Sequence, residues 1–155
     1  MAQGQKQVRI IEPLERFVNR INLVGCYARV SSDSEDQLNS YNNQVDFYES
    51  YVNSLENSKL VKIYTDEGIT GTRMDKRDGF LQMIEDCRKG LINTIITKSI
   101  SRFARNITET LSVVRELKSI GVSVYFMTEK IDTAKEFVAD IDSDVEKQIR
   151  ENNYE

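Results

Sequence analysis

No histidine occurs anywhere in the 155 residues, and that absence removes the imidazole base that ordinarily activates a nucleophilic serine or cysteine. Only two cysteines are present, Cys26 and Cys87, too few and too far apart for a disulfide framework or a zinc site. They read as buried free thiols in a reducing cytoplasm. No apolar run reaches membrane-spanning length and no charged-then-apolar leader opens the chain, so the expectation is a cytoplasmic protein with no membrane partner. Neither a GxGxxG nor a Walker A segment occurs, which argues against the common nucleotide-binding α/β domains. There is also no carboxylate cluster of the kind a two-metal nuclease needs, so the expected metal complement is none.

With imidazole and metals set aside, arginine is the cation left to do chemistry. The segment Tyr27-Ala28-Arg29-Val30-Ser31-Ser32 is an apolar strand ending in a serine pair, with Arg29 two residues before Ser31. A guanidinium is permanently charged, forks onto two phosphate oxygens, and can stabilise both a serine oxyanion and a crowded phosphorane. A second apolar run, Leu91–Thr97, leads into Lys98-Ser99-Ile100-Ser101-Arg102-Phe103-Ala104-Arg105-Asn106. If that stretch is helical, Arg102 and Arg105 share a face and can reach one anion. The plain alternatives are a serine N-cap and a solvated arginine pair. Taken together, the segments suggest phosphoryl transfer.

The hydrophobic pattern predicts an α/β fold with a mainly parallel sheet of about four to five strands flanked by helices. Strands are expected at Leu23–Val30, Leu60–Tyr64, Leu91–Thr97 and Val122–Met127. Helices are expected from Ser34 to about Asn53, at Gly79–Arg88, and at Thr108–Ser119 with a stop at Gly121. The first of these carries a core stripe of Leu38, Tyr41, Val45, Tyr48 and Val52. Thr65–Arg77 reads as a long polar loop able to fold over a substrate. Ser31 then lies on a strand-to-helix turn beyond the carboxyl end of a strand, where ligands bind in open α/β sheets. Residues 1–20 form an extension whose Ile10, Ile11, Leu14, Phe17 and Val18 suit a short amphipathic helix or packed arm. At the other end, Lys135–Arg150 can form a helix with Phe137, Ile141, Val145 and Ile149 on one stripe.

The net charge of −4 argues against the whole chain being a strong DNA-binding module, but it hides a gradient. Residues 73–105 hold eight basic against four acidic side chains, whereas residues 129–155 hold four basic against nine acidic. The candidate catalytic side is basic and the tail acidic, as suits a catalytic module that relies on another domain for tight sequence-specific binding.

Five segments in order resemble the catalytic domain of the serine recombinases, the resolvase and invertase family, and more closely its large serine recombinase branch. They are Tyr27–Ser31, Gln37–Ser40 through Gln44, Tyr64–Thr72, Lys76–Phe80 and Lys98–Asn106, spread over roughly residues 21–132. The resemblance implies that Ser31 is the nucleophile and that Arg29, Arg102 and Arg105 bind the scissile phosphate. It makes Gln44 and Arg77 supporting residues, with Tyr27 and Asp66 near the site and Lys98 and Arg73 against DNA. Ser101 departs from the small resolvases, which carry an aspartate there; large recombinases often resemble this chain at that position. The implied partners are DNA and further copies of the chain, as a dimer and as a tetramer on DNA. No cofactor is implied, because a covalent phosphodiester conserves the bond energy. Residues 133–155 are an acidic helix or tail on this reading, with no DNA-binding region following. Two rivals stand beside it: a truncated, non-catalytic homologue that acts by association, and a receiver-like phosphoacceptor domain. The latter needs acidic strand ends where this chain has Arg29 and Ser31.

Overall fold

The run of apolar and β-branched residues after Arg20 becomes an interior strand of a five-stranded sheet. The computed structural model describes residues 20–31, 34–68, 77–104 and 106–135, with backbone alone at 31, 34–40, 68 and 107. Strand β1 (Asn22–Ser31) lies between β2 (Ser58–Gly68) and β3 (Thr94–Thr97), parallel to both. Strand β4 (Ser123–Phe126) is parallel to β3, and a two-residue β5 (Ile131–Asp132) returns antiparallel, giving the order β2-β1-β3-β4-β5. The connections are α1 (Ser34–Asn53), α2 (Asp78–Arg88), the single turn α3 (Ile100–Phe103) and α4 (Ile107–Ser119).

Side-chain alternation along β1 divides the core between two faces. Val24, Cys26 and Ala28 pack with Tyr48 and Val52 of α1, whereas Tyr27 packs with residues of α2, α3 and α4. On the second face Tyr27, Phe80, Phe103 and Phe126 form an edge-to-face ladder with centroid spacings of 5.4, 5.2 and 5.4 Å. Such edge contacts place the positive rim of one ring on the negative face of the next. The ladder runs across the sheet beneath its carboxyl edge and ties the elements that carry the candidate site. Helix α4 stops as expected: Gly121 takes φ +84°, and Val122 N–H reaches back to the Leu117 carbonyl at 2.8 Å.

Several boundaries differ from the sequence expectations, each for a local reason. Strand β2 continues four residues beyond Tyr64, because Thr65–Gly68 pairs with the equally extended end of β1 and Asp66 finds partners in α2. Residues 69–76 of the expected loop lie outside the described residues. Strand β3 starts at Thr94, since Leu91 is exposed and the Asn93 side chain serves the Leu23 N–H and the Ile21 carbonyl. Tyr41, expected in the core, is exposed, while Tyr48 and Val52 are buried as expected. Helix α3 ends at Phe103 with Ala104 extended at φ −143° and ψ 160°, so helical spacing is not what relates Arg102 to position 105. The expected arms within residues 1–19 and 136–155 also lie outside the described residues. No helix among the described residues is long and apolar enough to cross a membrane.

Cys26 and Cys87 are buried on opposite faces of the sheet, and burial pushes both thiols up to about 12 from their ordinary 9.0. Burial likewise raises Tyr27, Tyr48 and Tyr64, with the carboxylates of Asp66 and Asp86 adding to the rise at Tyr27 and Tyr64. Because the folded chain keeps these protons to higher pH than the unfolded chain, stability falls as pH rises through and above the unfolded values. The expected result is a urea midpoint that declines from about pH 9 upward. At pH 8 neither thiol should be alkylated by iodoacetamide until urea unfolds the chain; prompt labelling of the native protein would contradict this burial.

Candidate active site at the carboxyl edge of the sheet

In a sheet ordered β2-β1-β3, the connections leaving β1 and β3 diverge, and the crevice between their carboxyl ends is where such folds bind ligands. Ser31 is the last residue of β1, its backbone paired with Gly68 of β2, and Arg29 is paired with Asp66. On the other side of the crevice Lys98 follows β3 directly and Arg102 sits on α3. The Arg29 carbonyl accepts hydrogen bonds from Gln44 Nε2 of α1 at 3.2 Å and from Arg102 Nη1 at 3.4 Å. Residues predicted from three separate segments therefore meet at one carbonyl, two positions before Ser31. Two residues earlier on β1, the Tyr27 carbonyl accepts from the hydroxyls of Tyr48 and Thr97 at 3.3 and 3.1 Å. Gln44, Lys98 and Arg102 also line a groove of about 590 Å³ beside α1, with Asn43, Phe47 and Thr128. Lys98 and Arg102 are both exposed there and present positive charge to solvent.

Asp66 is organised by the protein rather than open to solvent. Its carboxylate accepts from Tyr27 Oη at 2.7 Å and from the backbone N–H groups of Gly79 and Phe80 at 2.7 and 2.9 Å. Those two amides belong to the first turn of α2, where backbone donors lack intrahelical partners and a negative charge is favoured. Gly79 is required by this closeness: a Cβ there would meet the Thr65 carbonyl oxygen at 2.3 Å and Asp66 Oδ1 at 3.0 Å.

Arg77, just ahead of α2, turns inward. Its Nη1 pairs with Glu109 of α4 at 3.2 Å, Nη2 donates to the Phe103 carbonyl, and the guanidinium lies 3.9 Å from the Phe80 ring centroid. Ser101 is exposed on α3, its hydroxyl 3.2 Å from that of Ser99. Arg105, Arg73 and Ser32 lie outside the described residues, as does the side chain of Ser31. Among the described residues, no three His, Cys, Asp or Glu side chains gather so that they could hold a metal ion.

Two further carboxylates matter here that sequence reasoning passed over. Glu109 takes the charge of Arg77, and Glu129 accepts from the Ile100 N–H at 3.2 Å, at the start of α3. Burial pushes the Glu129 carboxyl above its usual range, and that backbone bond opposes the rise. Glu109 had a readable signal: Asn106 caps α4 by accepting from the Glu109 N–H at 2.8 Å, and an Asn followed three residues later by Glu marks a helix start. Glu129 has none, since it reaches Ile100 only through the tertiary fold.

The architecture defines an open α/β domain whose strand-end crevice lies at a topological switch point, with Lys98 and Arg102 exposed beside it. The chain belongs to the resolvase family: the family model described as Resolvase, N terminal domain, matches residues 24–154. It is 31% identical over 115 residues to the Tn552 transposon resolvase of Staphylococcus aureus, covering 70% of this chain and 48% of that protein. The chain thus spans about half the length of that curated relative. Among solved structures it resembles a resolvase family site-specific recombinase from Streptococcus pneumoniae, with a TM-score of 0.65 and 27% identity over 84% of this chain and 89% of that one. Its fold is also that of the N-terminal catalytic domain of TP901-1 integrase, with a TM-score of 0.62 and 24% identity over 84% and 98% of the two chains. These likenesses agree with the serine recombinase resemblance and the mainly parallel α/β sheet expected from the sequence.

Proposed function

We propose that the chain is the catalytic domain of a site-specific DNA recombinase in which the Ser31 hydroxyl attacks a backbone phosphodiester. The Oγ–P bond forms as the bond from phosphorus to the 3′ oxygen breaks. The serine proton goes to a base, and the departing oxygen gains a proton to become a 3′-hydroxyl. The product is a 5′-phosphoseryl linkage, which a 3′-hydroxyl from a new partner strand then reverses. Arg29, Arg102 and Arg105 stabilise the charge on the phosphorane, and preorganised cations of this kind act most strongly where water is excluded. Gln44, Tyr27, Asp66, Arg77 and Ser101 support that cluster, while Lys98 and Arg73 contact neighbouring phosphates. The working assembly is a dimer that becomes a tetramer on DNA, with sequence-specific affinity supplied by a DNA-binding domain.

The observation that supports this reading most directly is the meeting of Arg102 and Gln44 on the Arg29 carbonyl at the tip of β1. The test fuses the chain to a sequence-specific DNA-binding domain and offers a suicide duplex whose broken strand cannot religate. A covalent protein–DNA adduct that maps by mass spectrometry to Ser31 is the expected product. Repeated absence of an adduct from a fusion that binds the duplex and still self-associates would favour a non-catalytic association module.

A further inference from the structure

We infer that Glu109 is a positioning residue for the phosphate-binding arginines, acting through Arg77 on the turn that carries Arg102; the inference rests on the recombinase reading. The starting point is how completely Arg77 is used inside the protein. Its side chain is only 7% exposed, one Nη bonds Glu109, the other bonds the Phe103 carbonyl, and its flat face covers Phe80. Only Nε is left buried without a partner. A guanidinium held this way spends its charge on protein acceptors, so its contribution is mechanical.

What it holds is a turn that cannot hold itself. Helix α3 has four residues, Ala104 after it is extended, and its own closure consists of Arg102 N–H to Ser99 and Ala104 N–H to Ile100, both at 3.2 Å. A helix this short has little cooperative stability of its own. The buried Ile100 and Phe103 side chains seat it on the core, and its backbone is gripped from outside at both ends, by Glu129 on the Ile100 N–H and by Arg77 on the Phe103 carbonyl. Phe103 follows Arg102 directly, so the grip on its carbonyl governs where the Arg102 side chain starts.

Glu109 makes that grip possible. It lies in the first turn of α4, with its own N–H fixed by Asn106, and it is the carboxylate paired with the buried cation. An uncompensated buried charge would draw Arg77 toward water and away from Phe103. The chain of action therefore runs from Glu109 to Arg77, to the Phe103 carbonyl, to the α3 turn and to Arg102.

The test compares Glu109→Ala, Glu109→Gln, Arg77→Ala and the Arg77→Ala/Glu109→Ala double variant in the full chain carrying the DNA-binding fusion. At saturating DNA, Glu109→Ala should slow adduct formation about tenfold with half-saturating DNA concentration changed less than about twofold, since the loss falls on the chemical step. Glu109→Gln keeps a bond to Nη1 and should restore the rate to within about threefold of the parent. Arg77→Ala should be as slow as Glu109→Ala and the double variant no slower, as expected for residues acting as one unit. Losses that multiply would mean that Glu109 and Arg77 act independently and would overturn the inference.

Amide hydrogen exchange gives a reading independent of activity. Protection at Arg102 and Ala104 should fall about tenfold in Glu109→Ala, recover in Glu109→Gln, and leave β1 and α2 unchanged. Unchanged protection at Arg102 and Ala104 would overturn the inference, and so would a uniform loss across β1 and α2. If the parent chain forms no Ser31 adduct, the recombinase reading fails while the exchange result still decides whether Glu109 braces the turn.

Discussion

Replacing Ser31 by alanine abolishes covalent capture of DNA, the largest effect expected of any single substitution in this chain. Covalent capture needs a protein side-chain oxygen bonded to phosphorus, and a water attacking in place of Ser31 would leave no protein–DNA bond. Ser31 ends a strand whose backbone is paired on its β2 side up to its last residue, and Ser31→Ala leaves that backbone pairing available. Folding should therefore be unaffected, with the same urea midpoint as the parent. Arg29→Ala should slow capture by about 10²- to 10³-fold, the usual consequence of losing one preorganised charge-stabilising donor. Arg102→Ala is expected in the same range, from the opposite side of the crevice. Ser32→Ala is the control, because Ser31 and Ser32 are adjacent in the sequence and only one is assigned as nucleophile. Capture that survives Ser31→Ala and disappears in Ser32→Ala would reverse that assignment.

The sheet was legible because its strands are apolar enough to be read locally and are separated by helices with a clear 3.6-residue stripe. The crevice was legible for the same reason: Arg29 and Ser31 end one such strand, and Lys98 to Arg102 follow another. What the sequence could not display is how polar residues are spent. Asp66 and Arg77 sit in a segment that reads as a polar surface loop, yet both are buried, one against the first turn of α2 and the other against Glu109 and Phe103. A buried carboxylate or guanidinium is stable only with partners supplied by distant parts of the chain, and those partners are set by topology. The same limit explains Tyr41 and Tyr48. Helical periodicity put both on one stripe, but Tyr41 is exposed whereas Tyr48, two turns further along α1, packs with Val52 against β1.

Asp66→Asn should destabilise the chain by about 2–4 kcal/mol although the substitution is nearly isosteric, because buried hydrogen bonds to a charged acceptor are the costly ones to lose. The carboxylate receives three donors, Tyr27 Oη, Gly79 N–H and Phe80 N–H, at 2.7, 2.7 and 2.9 Å. An amide has one accepting oxygen. Whichever way it is turned, its NH₂ faces either the Gly79 N–H or the pair formed by Phe80 and Tyr27, so at least one buried donor is stranded. The negative charge at the start of α2 is lost as well. Tyr27→Phe removes just one of the three bonds and should cost about 1–2 kcal/mol, leaving the ring edge on Phe80 in place. Equilibrium urea unfolding measures both, with midpoints lowered in that order and slopes unchanged. Because Asp66 is paired with Arg29 across the strands and anchors α2 directly after Arg77, the same Asp66→Asn substitution should also slow Ser31 capture at temperatures where the variant remains folded. A variant as resistant to urea as the parent would mean that the carboxylate does not hold α2 against the edge of the sheet, and the active-site geometry would then need another anchor.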